Sequence, residues 1–373
     1  MKFKCVVING KFCSQTTTGV QRYAHEIVTA LDKIVESDIE IILAVNKQAK
    51  YLPELQNIKI INIGKLGGVL WEQISLPFFL FKRRALCVNL CNMAPILTPH
   101  IVTIHDVSYK VNKNFFSKKF SLWYNFVFDL IIGRIKEIFT VSQFSKSEIC
   151  RTYKKNFENI TVTYNGWQHM EKISENDTAL EKYGLQKNRF YFAMSSLSPN
   201  KNFRWIALAA RNNPEYAFAV SGAVNKKVFG DAFDFEIPKN LKFLGYVSDE
   251  EAKGLIINCR AFLFPTFYEG FGIPPLEALS LGAKAVVSDA SCMREIFGNN
   301  VYYIDPYNPD VDMDKLLKTQ VESPKNILEK YSWINSAQTI YKIIKSQNLS
   351  SQDLCVDFRT NFAEDKAESH RNT

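Results

Sequence analysis

The sequence predicts an α/β protein of two Rossmann-like domains, each built on a parallel sheet. Three observations carry this. Between Ala261 and Pro306, short apolar runs at 261–265, 285–288 and 301–304 read as buried strands, and a helical pattern at 276–280 ends at Gly282. Near the start, an apolar run at 3–9 leads through a Gly-bearing polar loop at 10–19 into a helical pattern at 20–31. There Val20, Tyr23, Ala24, Ile27, Val28 and Leu31 fall on one face. Finally, 373 residues exceed what one ordinary core holds. A strand–helix–strand unit belongs in a parallel sheet, and open sheets of this kind bind ligands at the C-terminal edge of their strands.

The turn after the strand at 261–265 sits at such an edge and carries two carboxylates. Glu269 lies in the loop, and Glu277 lies about one turn inside the helix that Pro274 and Pro275 introduce. Between them, the amides of Phe271, Gly272 and Ile273 face a helix N-terminus with its partial positive charge. That combination suits an anion flanked by hydroxyls, such as a sugar phosphate, because carboxylates accept hydrogen bonds from hydroxyls. The plain alternative is a helix cap at Glu269 and a solvated helix face at Glu277. The run EGFGIPPLEA, from Glu269 to Ala278, resembles the E-x7-E signature of retaining glycosyltransferases of the GT-B fold, glycosyltransferase family 4. This resemblance implies two Rossmann-like domains facing each other across a cleft. It also implies a nucleotide-diphosphate sugar as co-substrate, with no cofactor and no metal needed for the chemistry.

Composition sets further bounds. The chain is 46% hydrophobic and 23% charged, with 28 Phe. No uninterrupted apolar run reaches the roughly 18 residues of a spanning helix, so none is expected. Met1 to Lys4 leads straight into an apolar run, too short for a signal peptide. Eight cysteines lack any CxxC pair, which argues against a metal site or disulfide framework and fits a reducing cytoplasm. The net charge of +8, from 46 Lys and Arg against 38 Asp and Glu, is dispersed, and no nucleic-acid motif accompanies it. An anionic substrate or an anionic membrane surface accounts for it equally well.

Further strands are expected at 39–45, 58–63, 85–90, 101–104, 138–141 and 160–166. The loop at 10–19 lacks G-x-G-x-x-G, so dinucleotide binding is unsupported. It resembles the family's cleft-facing loop, with Gly19 and the following amides as the contact, but an ordinary connector explains it equally well. The apolar, aromatic segment 71–82, with Lys82, Arg83 and Arg84 attached, reads as a core helix with a solvated basic end. A membrane-surface patch is the less favoured reading, because the polar face is sparse. His105 and Asp106 follow the strand at 101–104 and resemble the family's H-D motif. The His is placed to bond a sugar hydroxyl or help manage the acceptor's proton. Residues 115–132 are aromatic and helical in pattern, a candidate wall of the acceptor site. Ser145 and Glu148 are spaced as a capping box, and Asn165 stands at a turn taken as the hinge.

The second domain is expected to open with a strand at 190–194, followed by a loop in which Lys201 matches the family's diphosphate-clamping Lys. Ser196 stands where an Arg is common, so one cation of the clamp is missing. Strands at 216–222 and 241–244 follow, with Gly222 at one end and the backbone of Tyr246 and Val247, beside the base in the family, after the other. Asp310, Asp312 and Asp314 precede a helical pattern at 315–321 and read as caps, not metal ligands. The boundaries are then 1–170 for the acceptor-side domain and 171–330 for the donor-nucleotide domain. A closing helix at 331–348 packs back on the first, and a polar tail at 349–373 lacks order.

By the resemblance, Lys201, Glu269 and His105 serve catalysis and Glu277 holds the ribose. Phe271, Gly272, Ile273, Ser196, Gly222, Tyr246 and Val247 complete the donor site, and Gly19 and Asp106 line the side of acceptor and phosphate. The expected acceptor is a glycan, carried on a lipid, at the inner face of a membrane that the protein touches peripherally. A sugar-nucleotide epimerase or a non-catalytic sugar-nucleotide binder on the same scaffold stays open.

Overall fold

The computed structural model describes residues 3–111, 128, 130, 131, 134–153, 159–176, 178–194, 198–222 and 236–347. The expected helix at 115–132 is largely outside the described residues, as are Ser196 and the tail at 349–373. Seven strands form the first sheet: β1 (Val6–Asn9), β2 (Ile41–Val45), β3 (Lys59–Asn62), β4 (Leu86–Asn89), β5 (His100–Thr103), β6 (Ile135–Thr140) and β7 (Ile160–Val162). Six form the second: β8 (Phe190–Met194), β9 (Ala217–Ser221), β10 (Leu241–Gly245), β11 (Ala261–Phe264), β12 (Ala285–Ser288) and β13 (Tyr302–Ile304). Every pairing is parallel, in the orders β3-β2-β1-β4-β5-β6-β7 and β10-β9-β8-β11-β12-β13. Each order therefore reverses once, between β1 and β4 and between β8 and β11. Those two reversals are where the two halves of a doubly wound sheet part and leave room for a ligand.

The strands read as unbroken apolar runs because helices cover both faces of a parallel sheet. VVIN of β1 and IILAV of β2 are buried at every position, whereas edge strand β3 is mostly exposed. Helix α1 (Gly19–Ile34) buries Tyr23, Ala24, Ile27, Val28 and Leu31 and starts in a capping box between Thr18 and Gln21. Next, Gly68–Leu70, a π turn at Trp71–Ser75 and helix α2 (Leu76–Arg83) run on as one helical segment. Helices α3 (Gln143–Tyr153), α4 (Phe203–Asn212), α5 (Asp249–Asn258), α6 (Ile273–Ser280), α7 (Met293–Phe297) and α8 (Trp333–Ser346) complete what the site needs. Among the described residues, no helix is long and apolar enough to cross a membrane.

Helix α8 lies on α1, far back in the chain. The Glu36 amide donates to the Tyr341 hydroxyl at 3.0 Å, Lys345 pairs with Glu36 at 2.7 Å and Asp38 at 3.0 Å, and the Ser336 hydroxyl reaches the Tyr164 carbonyl. Two expectations need correction. The segment from Gly68 to Arg83 is not a core helix: Trp71, Glu72, Leu76 and Leu80 are buried, but Leu70, Ile74, Phe78 and Phe81 are exposed. Positions 70, 74, 78 and 81 fall on the face opposite 72, 76 and 80, so one apolar stripe faces the sheet and a second faces outward. The helix expected at 315–321 is instead Met313–Leu316, capped by the Asp312 carboxylate on the Lys315 amide at 2.9 Å, while Asp314 pairs with Arg260.

Burial holds two first-domain histidines neutral. It pushes His100, at the head of β5, and His25, on α1, down to about 4 from 6.5, with Arg22 adding to the effect on His25. The unfolded chain takes up these protons first, so their stabilisation is complete above about 6.5 and fades as pH falls toward 4. Urea midpoints should fall from pH 7 to pH 5, and His100→Gln should flatten that dependence. An unchanged slope in the variant contradicts the assignment.

Candidate active site

The second sheet contributes a cation and two carboxylates. After β8, a 3-10 turn at Pro199–Lys201 ends in Asn202 with φ 53, and the Asn202 side-chain amide donates to the carbonyls of Pro265 at 2.9 Å and Pro306 at 2.7 Å. The loop is thus pinned to the ends of β11 and β13, and it holds the Lys201 ammonium 2.5 Å from Glu269 Oε1. Burial pushes the Glu269 carboxyl up, Lys201 pulls it back, and nearby Asp106 adds to the upward push. Glu269 and Lys201 therefore satisfy one another in a poorly solvated loop.

Helix α6 begins beside them. Pro274 and Pro275 occupy its first turn and carry no N–H, which removes two of the donors a helix start normally leaves open. The amides of Phe271, Gly272 and Ile273 remain, with no protein acceptor among the described residues. The Phe271 side chain is committed to the core, edge-on to Tyr331 at 5.3 Å, so only its backbone faces a ligand. Gly272 has φ +100, and a Cβ there would stand 3.1 Å from Met293 Cε and 3.3 Å from Phe297 Cε2. Glu277 is buried, with Oε1 2.7 Å from His169 Nε2. Because His169 Nδ1 lies 3.1 Å from Trp333 Nε1, which only donates, the His169 proton is on Nε2 and points at Glu277.

The first sheet meets this edge closely. His105, just past β5, places Nε2 3.0 Å from the Leu90 carbonyl, packs edge-on to Tyr23 at 4.8 Å and takes the Asn92 side chain on its amide at 2.8 Å. Burial pushes its pKa down, only partly offset by the Leu90 carbonyl and Asp106, so the ring is neutral. Asp106 caps the next turn through the Ser108 amide at 2.8 Å. A Cβ on Gly270 would fall well inside contact distance of the His105 carbonyl oxygen, and one on Gly19 would reach Ile273 Cδ1 at 3.8 Å. The N-termini of α1 and α6 thus approach one another across the cleft. Ser145 donates to the His105 carbonyl at 3.0 Å and lies 3.4 Å from the Gly270 carbonyl. This corrects the capping box: the Ser142 hydroxyl accepts from the Ser145 amide at 3.0 Å, and Glu148 pairs with Arg151 at 2.8 Å.

Of the expected residues, the structure brings together His105, Asp106, Lys201, Glu269 and the Phe271–Ile273 loop, with Gly19 beside Ile273 and Glu277 one helical turn on. Gly222, whose amide donates to the Gly245 carbonyl at 2.8 Å, leads off β9, and Tyr246 and Val247 lead off β10, beyond β8 from Glu269. Val247 is buried, leaving only backbone for a ligand, and Tyr246 is exposed. Sequence reasoning missed His169, placed in the linker. It also missed Glu295, whose carboxylate accepts from the amides of Gln143 at 2.7 Å and Phe144 at 2.8 Å, and Arg22, which pairs with Asp249 at 2.5 Å. A polar cluster at the first sheet's reversal escaped too. Asn9 Nδ2 donates to Glu72 at 2.8 Å and Asn89 at 2.9 Å, Lys11 pairs with Glu72 at 2.6 Å, and the cavity there is also lined by Thr18, Gln21 and Asn92. Asn9 and Asn89 end β1 and β4, the one signal available beforehand.

Two doubly wound sheets that meet by their C-terminal edges, with a carboxylate-bearing loop between them, define a protein of the GT-B class. Residues 175–350 match the family described as glycosyl transferases group 1. It is 25% identical over 335 residues to the O-antigen chain mannosyltransferase RfbU of Salmonella typhimurium strain LT2, covering 81% of this chain and 87% of that protein. Its fold is similar to sucrose-phosphate synthase from Thermosynechococcus elongatus, with TM-score 0.71, 13% identity and coverage of 92% and 98%. It is also similar to Anabaena Alr3699/HepE, solved with UDP and glucose, with TM-score 0.68, 15% identity and coverage of 92% and 100%.

Gly272→Ala should cost about 1–3 kcal/mol in unfolding free energy, from backbone strain and the contacts to Met293 and Phe297. Chemical denaturation measures it, and an unchanged midpoint contradicts the geometry. The His105 ring should show its proton on Nε2 in nitrogen NMR and titrate below the ordinary histidine range. A ring that titrates in or above that range contradicts the reading of its environment.

Proposed function

We propose that the protein is a retaining glycosyltransferase that moves a hexose, mannose first among the candidates, from a GDP- or UDP-sugar to a lipid-linked glycan. The setting is assembly of a surface polysaccharide of the O-antigen type at the cytoplasmic face of the membrane. One observation carries this reading: among the described residues, the Lys201 ammonium and three amides without a protein acceptor at the start of α6 stand with the half-buried Glu269 and the buried Glu277. Cation and amides suit a diphosphate, and carboxylates suit the hydroxyls on either side of it. The name of the Salmonella relative and the UDP bound by the Anabaena protein support the sugar, the nucleotide and the setting.

In this account the donor diphosphate takes Lys201 from Glu269, which then accepts from hydroxyls of the transferred sugar. Glu277, steadied by His169, accepts from the ribose hydroxyls. Backbone at Gly222, Tyr246 and Val247 lies along the base, and Gly19 and Asp106 border the acceptor and phosphate. His105 has its one N–H on a backbone carbonyl and is kept neutral by burial. It therefore serves as an acceptor for a sugar hydroxyl, not as an acid. The glycosidic bond from the anomeric carbon to the phosphate oxygen breaks as the acceptor oxygen enters on the same face, and the acceptor's proton passes to the departing phosphate oxygen. Lys201 and the amides stabilise the charge that develops there. No bound metal is needed in this scheme.

Glu277→Ala should weaken nucleotide-sugar binding about 10- to 100-fold, the worth of a hydrogen bond to a charged group. Sugar transfer to a lipid-linked acceptor should fall at least as far and be insensitive to EDTA. Donor binding without transfer or hydrolysis for any nucleotide sugar would overturn the proposal in favour of a non-catalytic binder. Conversion of the donor with no acceptor present would turn it toward an epimerase.

A further inference from the structure

We propose that the outer face of the helical segment from Gly68 to Arg83 docks on an anionic lipid bilayer and so carries the first domain's cavity to the membrane surface. Leu70, Ile74, Phe78 and Phe81 are 60%, 56%, 73% and 59% exposed, with Val69 and Leu66 beside them at 48% and 37%. Single exposed apolar residues are ordinary, but a continuous row on one helical face marks a contact surface. The row forms a ridge on the outside of the domain and not a groove. A segment of this length lies in a bilayer interface and does not span it.

Charge selects the occupant. Lys65 precedes the row and Lys82 and Arg84 follow it; all are exposed and hold no ion pair among the described residues. Residues 1–170 contain 22 Lys and Arg against 12 Asp and Glu, whereas residues 171–373 contain 24 against 26. The basic surplus of the whole chain therefore resides in the half that bears the ridge. Apolar side chains dipping below the headgroups with cations at headgroup level is the pattern of an interfacial helix on anionic lipid, and neither a second copy of this basic domain nor an uncharged partner calls for those cations.

The inner side of the same segment holds Glu72, which pairs with Lys11 at 2.6 Å in the cavity at the first sheet's reversal. Docking the ridge leaves that cavity about one helix diameter, roughly 10 Å, from the bilayer. An acceptor carried on a lipid enters from that side. This purpose rests on the proposed lipid-linked acceptor; the docking itself is measured without any substrate.

The test is sedimentation with vesicles of phosphatidylcholine containing about a third phosphatidylglycerol. It is run beside vesicles of phosphatidylcholine alone, for the full chain and for Ile74→Ser/Phe78→Ser and Lys82→Glu/Arg84→Glu. The substituted side chains are exposed, and a melting curve in the presence of nucleotide sugar serves as the folding control. The wild type should partition to anionic vesicles at least tenfold better than either double variant, with less binding at high salt and an unchanged nucleotide response. No partitioning, equal partitioning of the variants, or equal binding to neutral vesicles overturns the proposal. A concentration-dependent dimer that the Ile74/Phe78 variant abolishes, without vesicle binding, overturns it in favour of an interface between copies. A variant that loses vesicles but keeps its nucleotide response separates this inference from the enzymatic one.

Discussion

Two sheet edges can approach this closely only because position 270 is glycine. The Gly270 backbone lies against the His105 carbonyl, where any Cβ would collide, and the Ser145 hydroxyl bridges the carbonyls of His105 and Gly270. Everything else at the site follows from that approach. It brings α1 and α6 end to end at Gly19 and Ile273, and it leaves Glu269 only partly solvated, with Lys201 answering its charge. Arg22 with Asp249, and Glu295 with the start of α3, fasten the flanks. These are charge-assisted contacts at the cleft rim, strong enough to hold a closed arrangement and polar enough to release it.

The site is also held from behind. Glu277 reaches His169, His169 reaches Trp333, and Trp333 begins the helix that packs on α1. The Glu277 carboxylate is thereby tied through one histidine to the element that clasps the first domain. The close fit of Gly166 against the Trp333 backbone keeps that junction tight. Occupancy at Glu277 and closure of the cleft therefore share a hydrogen-bonded path, with His169 as its middle member.

Most of the fold was legible because parallel strands buried on both faces leave continuous apolar runs, and the punctuation by Gly and Pro was local. The carboxylate loop was legible for the same reason: Glu269, Gly272, Pro274 and Glu277 act within one turn of chain. His169 was not, since its role depends on Trp333, 164 residues away, and nothing in a polar linker announces it. Glu72 and Asn9 likewise meet only through the order of the strands. Ser145 was misassigned because S-x-x-E spacing fits a cap, while its partners, the carbonyls of His105 and Gly270, come from two other segments. The outward stripe of the segment from Gly68 to Arg83 was obscured by its π turn and by apolar residues on both faces, which make a buried helix and an interfacial one look alike.

The most direct measurement is calorimetric binding of a nucleoside diphosphate and its monophosphate to wild type and Lys201→Ala. If the diphosphate takes Lys201 from Glu269, the variant should lose about tenfold or more in affinity for the diphosphate, the worth of one charge-assisted contact, and little for the monophosphate. Equal affinities for the diphosphate in both proteins would contradict the account at its centre, leaving Lys201 as a partner of Glu269 alone.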